Sequence, residues 1–181
     1  MPNSKKKGNK NELELSKWWK TWSGQEFSRV PASGGLRWKN TDNISGDIIN
    51  TDDRHSRRFP FSIETKFYKD INFEHLILGN KNIKVIEFWE QAKEDGLRAE
   101  KVPILFFRYN MMPKQTWFVA VTERVFRQIK LSKKHIFNHT YFNIKTPEDS
   151  FVIMNSNDLA DLNYTEFIIN IKRLRRNGIK N

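Results

Sequence analysis

The sequence predicts an α/β fold in which helices flank a central mixed β-sheet. The order is helix, three strands, helix, strand, with extra C-terminal elements. Three observations lead there. Leu15, Trp18, Trp19 and Trp22 recur at i, i+3, i+4 and i+7, the period of one helical face. Phe61, Ile63 and Phe67 fall on every second residue, the strand period. Val102 to Tyr109 is an apolar run bounded by turn signals, which reads as a buried strand.

In chain order, residues 1–7 are expected to form a flexible basic arm carrying Lys5, Lys6 and Lys7, followed by a helix from Asn9 to Trp22. A strand over Glu26–Ala32 runs into Pro31-Ala32-Ser33-Gly34-Gly35, a turn-forming stretch. A short strand over Asp47–Asn50 and a strand over Pro60–Phe67 form a hairpin joined by the polar segment Thr51–Arg58. Residues 69–81 are mixed and give no assignment. A second amphipathic helix fits Asn82–Arg98, with Val85, Ile86, Trp89 and Ala92 inward. Beyond Tyr109 come a strand over Thr116–Val121, a helix capped by Thr122, a strand over Phe151–Met154 and a helix over Asn163–Arg176. The organisation expected is an arm (1–7), a core (8–122) and an extension packed on it (123–181) with a basic end.

A chain of 181 residues fits one domain, and 38% hydrophobic residues suffice for a core. Cysteine is absent, which excludes disulfides and thiolate zinc sites and fits a reducing compartment. No apolar run approaches the roughly 20 residues of a membrane span, and the first ten residues are polar and basic, unlike a signal peptide. A cytoplasmic protein without a membrane partner is expected. The net charge is +11, from 32 Lys and Arg against 21 Asp and Glu, and both ends carry basic runs. Such a surface favours a polyanion, and nucleic acid is the partner expected.

The chemistry is carried by Asp47 and by Glu64-Thr65-Lys66. Residues two apart on a strand share a face, so Glu64 and Lys66 point the same way, away from the apolar face. Mg²⁺ takes oxygen ligands and one or two carboxylates. Asp47 and Glu64 supply those, and the Thr65 carbonyl adds a further oxygen. A bound cation lowers the pKa of a water and neutralises phosphate charge. Lys66 is placed to orient that water or to face negative charge in the transition state. A Glu-x-Lys on a strand is commonly a solvated face, and the upstream Asp47 makes the difference. Glu12 and Glu14 flank the apolar stripe of the first helix on opposite edges, and periodicity does not choose between them. Arg29 and Ser33 offer donors to phosphate, although a plain strand end and turn is the simpler reading. His135 and His139, at i and i+4, are taken as structural or surface residues, and Trp18, Trp19 and Trp22 as core. No phosphate-cradling glycine loop and no Gly-x-Ser-x-Gly elbow is present.

In this order the pieces resemble the PD-(D/E)xK nucleases, and more narrowly the archaeal-type Holliday junction resolvases and their phage-encoded relatives. Gly8-Asn9-Lys10-Asn11-Glu12 matches that group's Glu four residues after a Gly, which selects Glu12. Arg29-Val30-Pro31-Ala32-Ser33-Gly34 matches its Arg-x-Pro-x-Ser-Gly-like segment, and Glu64-Thr65-Lys66 its Glu-x-Lys. Gly46 stands before Asp47 where the group usually has Pro. Gln91, in Glu90-Gln91-Ala92, resembles a Gln found on the following helix in the wider superfamily. The resemblance covers roughly Gly8 to Tyr109. It implies a restriction-endonuclease-like core and a catalytic set of Glu12, Asp47, Glu64, Lys66 and Gln91. It also implies Mg²⁺ or Mn²⁺ held by Glu12, Asp47, Glu64 and Thr65, and a homodimer that cuts branched or duplex DNA. Lys5, Lys6, Lys7, Arg29, Ser33 and Arg37 are the DNA contacts expected. If phage-encoded, the protein works in the host cytoplasm. The competing expectations are another PD-(D/E)xK nuclease (restriction-like, nicking or end-processing) and a non-catalytic basic DNA-binding protein.

Overall fold

A computed structural model of the chain describes residues 4–30, 45–78, 84–132, 140–146 and 149–176. Helix α1 (Ser4–Ser23) leads to strands β1 (Phe27–Arg29), β2 (Ile48–Asn50) and β3 (Phe61–Tyr68), with a 3₁₀ turn at Ser56–Arg58 before β3. Helices α2 (Glu74–Leu78) and α3 (Lys84–Arg98), strands β4 (Val102–Tyr109) and β5 (Phe118–Thr122), and helix α4 (Glu123–Ser132) follow. The chain then adds β6 (Phe142–Lys145), β7 (Ser150–Asn155), α5 (Ser156–Ala160) and α6 (Tyr164–Arg176). The described strands form one mixed seven-stranded sheet in the order β1-β2-β3-β4-β5-β7-β6. The β3–β4 pair is parallel and the others antiparallel. This is the expected α-β-β-β-α-β arrangement with added C-terminal elements.

The period-2 alternation of the central strands decides what each face buries. Ile63, Ile104, Phe106, Val119, Val121, Val152 and Met154 join Leu15 and Trp19 of α1 and Phe167 and Ile171 of α6 in one core. Leu105, Phe107, Ala120, Phe151 and Ile153 face the other way, onto Val85, Phe88, Trp89 and Ala92 of α3. With both faces covered, β4 has to read as a continuous apolar run, as strands buried on both sides do. The Trp stripe of α1 is core, as expected: Trp19 is fully buried among Phe27, Phe59, Phe61 and Phe106.

Two expectations of the organisation change. Helix α1 begins at Ser4, so Lys5, Lys6 and Lys7 lie in helix rather than in a flexible arm. Lys7 is anchored: its ammonium lies 4.1 Å from the centre of the Phe67 ring and donates to Asn110 Oδ1. Nor does the core end at residue 122. β7 pairs with β5 along its length, and α6 packs Phe167 on Phe61 and on Trp22. Trp22 Nε1 also donates to the Leu162 carbonyl at 3.0 Å. The segment before α3 left unassigned from sequence contains α2. Ser33, Arg37, His135 and His139 lie outside the described residues.

One buried amide ties α1 to the sheet. Asn11, 2% exposed, donates from Nδ2 to Thr65 Oγ1 at 2.8 Å and accepts at Oδ1 from Trp117 Nε1 at 2.9 Å. The helix is thereby fixed in rotation over β3 and next to the start of β5. Asn11→Ala leaves two buried polar groups without partners, each worth roughly 1–3 kcal/mol. A loss of about 3 kcal/mol in urea unfolding is expected, and a loss below about 1 kcal/mol would show that the link is incidental.

Candidate active site

Asp47 reaches its place through backbone stitching. Its N–H donates to the Ile63 carbonyl at 2.7 Å, and its own carbonyl accepts from Val30 N–H at 2.8 Å. Regular β2–β3 pairing extends only to Ile48 opposite Ile63. At the next rung the Asp47 carboxylate takes over from the backbone, with Oδ2 accepting the Thr65 N–H at 2.8 Å. A side chain thus occupies the position of a ladder acceptor, which holds it beside Glu64.

Gly46 makes that approach possible. Its φ is +80°, and a Cβ there would stand 2.2 Å from the Ile63 carbonyl oxygen. No L-residue fits without moving the strand. The proline usual here in the resembling group has φ near −65°. Gly46 is therefore a different local backbone rather than a neutral replacement.

Glu64 and Lys66 share a face, as the alternation requires, but that face is not open: it is the side covered by α3. Glu64 is 4% exposed. Its Oε1 accepts from Lys66 Nζ at 2.7 Å. Burial, then repulsion from Asp47, pushes the Glu64 carboxyl up to about 7, with Lys66 pulling the other way. Asp47 is also raised, chiefly by burial, against the opposing Thr65 N–H and Lys66 charge. The two carboxylates are close enough to resist being ionised together.

The structure separates the two glutamates of α1. Glu14 pairs with Arg108, Oε2 to Nη1 at 3.0 Å, and Arg108 is buried between Phe67 and Trp117. Glu12 turns to the other edge and meets Arg29, Oε2 to Nη1 at 3.4 Å. Burial and then Asp47 raise its carboxyl above the ordinary glutamate range, while Arg29 and Lys66 pull it down. Glu12, Arg29, Asp47, Glu64, Thr65 and Lys66 therefore share one electrostatic neighbourhood. Gln91 does not join it: it is exposed on α3 and makes no hydrogen bond to these groups. The α3 residue whose charge both Asp47 and Glu64 feel is Asp95, which the sequence reading missed. Its signal was available: Asp95 continues the buried stripe of Phe88 and Ala92 at i+7 and i+3.

Among the described residues, no three His, Cys, Asp or Glu side chains form a ready-made metal cage. A hydrated divalent cation does not need one, since it takes one or two carboxylates and completes its shell with water and phosphate oxygens. The Asp47–Glu64 pair fits that requirement, and burial, which raises both carboxyls, is what a cation's charge would offset.

Two outcomes follow from this geometry. Gly46→Ala should cost about 3 kcal/mol, the sum of left-handed backbone strain and overlap with Ile63. Gly24→Ala serves as the control: Gly24 has φ +67° but nothing within 4 Å of a Cβ, so strain alone costs about 1 kcal/mol. Thermal melts of both variants check this, and equal losses would refute the close approach. The second outcome concerns pH. Glu64 holds its proton more tightly folded than unfolded, so its contribution to stability is full below about 4.5 and is lost as pH rises through about 7. Melts in EDTA should fall across that window. With Mn²⁺ the trend should reverse, because cation binding needs the ionised carboxylates.

Residues 3–170 match the family described as "Phage putative PDDEXK endonuclease". Protein D14 of Escherichia phage T5 is 25% identical over 119 residues, covering 65% of this chain and 70% of that protein. No solved structure matches the chain. No helix among the described residues is long and apolar enough to cross a membrane. The family match runs from α1 into α6, through the strands and loops that place Glu12, Asp47, Glu64 and Lys66. By that match the chain belongs to the phage PD-(D/E)xK endonuclease family.

Proposed function

We propose that the protein is a divalent-cation-dependent endonuclease that resolves four-way DNA junctions by paired strand cleavage, as a homodimer. The observation that carries this reading is the position of Glu12. The first-helix glutamate that the resolvase resemblance singles out turns toward Asp47 and Arg29, while Glu14 is taken up by Arg108. A twofold dimer supplies the two related sites that symmetric cleavage of a junction requires.

In this reading Glu12, Asp47, Glu64 and the Thr65 carbonyl would hold Mg²⁺ or Mn²⁺. When bound, the cation supplies an acidified water and offsets phosphate charge. The chain's own groups do the rest. The Thr65 N–H orients Asp47 and favours its ionised form. Lys66, relieved of Glu64, faces the scissile phosphate and stabilises the charge that develops there. Arg29, 38% exposed in its side chain, exchanges Glu12 for a backbone phosphate and seats the strand. Lys5, Lys6 and Lys7, with Ser33 and Arg37, contact further phosphates, a mode that reads shape rather than bases.

A second reading has its own support. The segment after residue 122 is built into the core rather than appended, and this goes beyond what a compact resolvase needs. Another PD-(D/E)xK nuclease, nicking or end-processing, would accommodate that.

An immobile four-way junction, with matched duplex and single-stranded controls, separates the readings. Paired cuts confined to the junction and abolished by EDTA are expected. Lys66→Ala should lower the rate at least about a hundredfold while leaving junction binding in EDTA within about twofold. Equal cutting of all three substrates would move the protein to general DNA processing. Shortening from ends would make it an exonuclease-like processor.

A further inference from the structure

Helix α3 crosses the catalytic strand in a register that can be followed at both ends. Near its start, Phe88 packs on Tyr68, ring centres 5.2 Å apart. Near its end, Gly96 sits so close to the next strand that a Cβ would lie 3.0 Å from the Lys101 carbonyl oxygen and 3.1 Å from Pro103. Pro103 is paired with Ser62 of β3. The helix therefore runs antiparallel to β3, from Tyr68 toward Ser62, over the face that presents Lys66 and Glu64. Asp95 lies one residue before Gly96 and seven after Phe88, on the same helical stripe. That register places it alongside Glu64. Its side chain is only 20% exposed, although its partner Arg98, with which it makes an i, i+3 ion pair, is 76% exposed. The acidic member of the pair is thus the one turned toward the sheet.

From this placement we infer that Asp95 is a positioning residue for the cation at Asp47 and Glu64. It supplies negative charge that strengthens cation binding without ligating, and Arg98 moderates that charge. The inference rests on the reading of Asp47–Glu64 as a cation site. The absence of a three-carboxylate cage among the described residues argues for action through the field rather than as a third ligand. Gly96 sets the strength of the effect, because the close approach of the helix end to Pro103 fixes how near Asp95 stands to the pair. A full charge at second-neighbour distance in a partly buried site changes cation affinity by about tenfold.

The test compares wild type, Asp95→Asn and Arg98→Gln, the first keeping shape and losing charge, the second changing only an exposed side chain. Melting temperature is followed against Mn²⁺ concentration without DNA, and junction cleavage against Mn²⁺ in parallel. Asp95→Asn should raise the half-saturating Mn²⁺ about tenfold in both readouts, keep the cleavage rate at saturating Mn²⁺ within about threefold, and melt no lower than wild type in EDTA. Arg98→Gln should lower the half-saturating Mn²⁺ a few-fold, and decides the matter alone if Asp95→Asn fails to fold. Unchanged half-saturation in Asp95→Asn, or a shift of Arg98→Gln in the same direction as Asp95→Asn, overturns the role given to Asp95. That result leaves the cation site standing. A wild type whose melt and cleavage both ignore Mn²⁺ overturns the site and this inference together.

Discussion

The arrangement of this protein depends on a close contact between two backbones. Gly46 lies against Ile63 with no room for a side chain, and that approach lets Asp47 hydrogen-bond across to β3 through its N–H and then through its carboxylate. Asp47 cannot diverge from β3, because Val30 and Ile63 grip it from both sides. An acidic side chain is thereby forced beside a second one that is nearly buried. Each would repel the other into solvent if the backbone were free to yield. Burial raises both carboxyls, and the charge of Asp47 raises Glu64 further.

The remaining parts hold this contact from two sides. On one face, Asn11 fastens α1 to Thr65, the residue whose N–H holds Asp47, so the helix that carries Glu12 and the strand that carries Glu64 share one anchor. On the other face, α3 covers the side of β3 that carries Glu64, which is buried, and leaves Lys66 partly exposed. The site thus lies where two helices meet one strand from opposite sides. Its polarity survives because each buried polar group in it has a named partner: Thr65 with Asn11, Asp47 with Thr65, Glu64 with Lys66.

Much of this was legible in the sequence. The 3.6-residue period of α1 and α3, the alternation in β3 and the unbroken apolar run of β4 report burial directly, and their elements fall within a few residues of expectation. The juxtaposition of Asp47 with Glu64 and Lys66 was legible because a hairpin and a strand face are local geometry. The position of Asp95 was not, because it depends on how α3 crosses β3, a long-range packing outcome fixed by Gly96 and Pro103. The exposure of Gln91 on α3 depends on the same packing, since the crossing of the helix decides which residues turn outward. Glu12 and Glu14 could not be separated by periodicity, since both edge the same stripe. Arg108 decides by claiming Glu14. The basic N-terminal run looked like an arm because Lys-rich segments are polar all round. Lys7 finds Phe67 and Asn110, contacts far away along the chain.

The aromatic packing of α1 has a spectroscopic consequence. Trp18 is in ring contact with Trp19, Trp22, Phe106 and Trp117, so these indoles form one excitonically connected set rather than isolated chromophores. Trp117, whose N–H is bound to Asn11, sits two hydrogen bonds from Thr65. Its emission and the near-ultraviolet dichroism of the set therefore report the seating of α1 on the catalytic strand, an optical view of the site from inside the core.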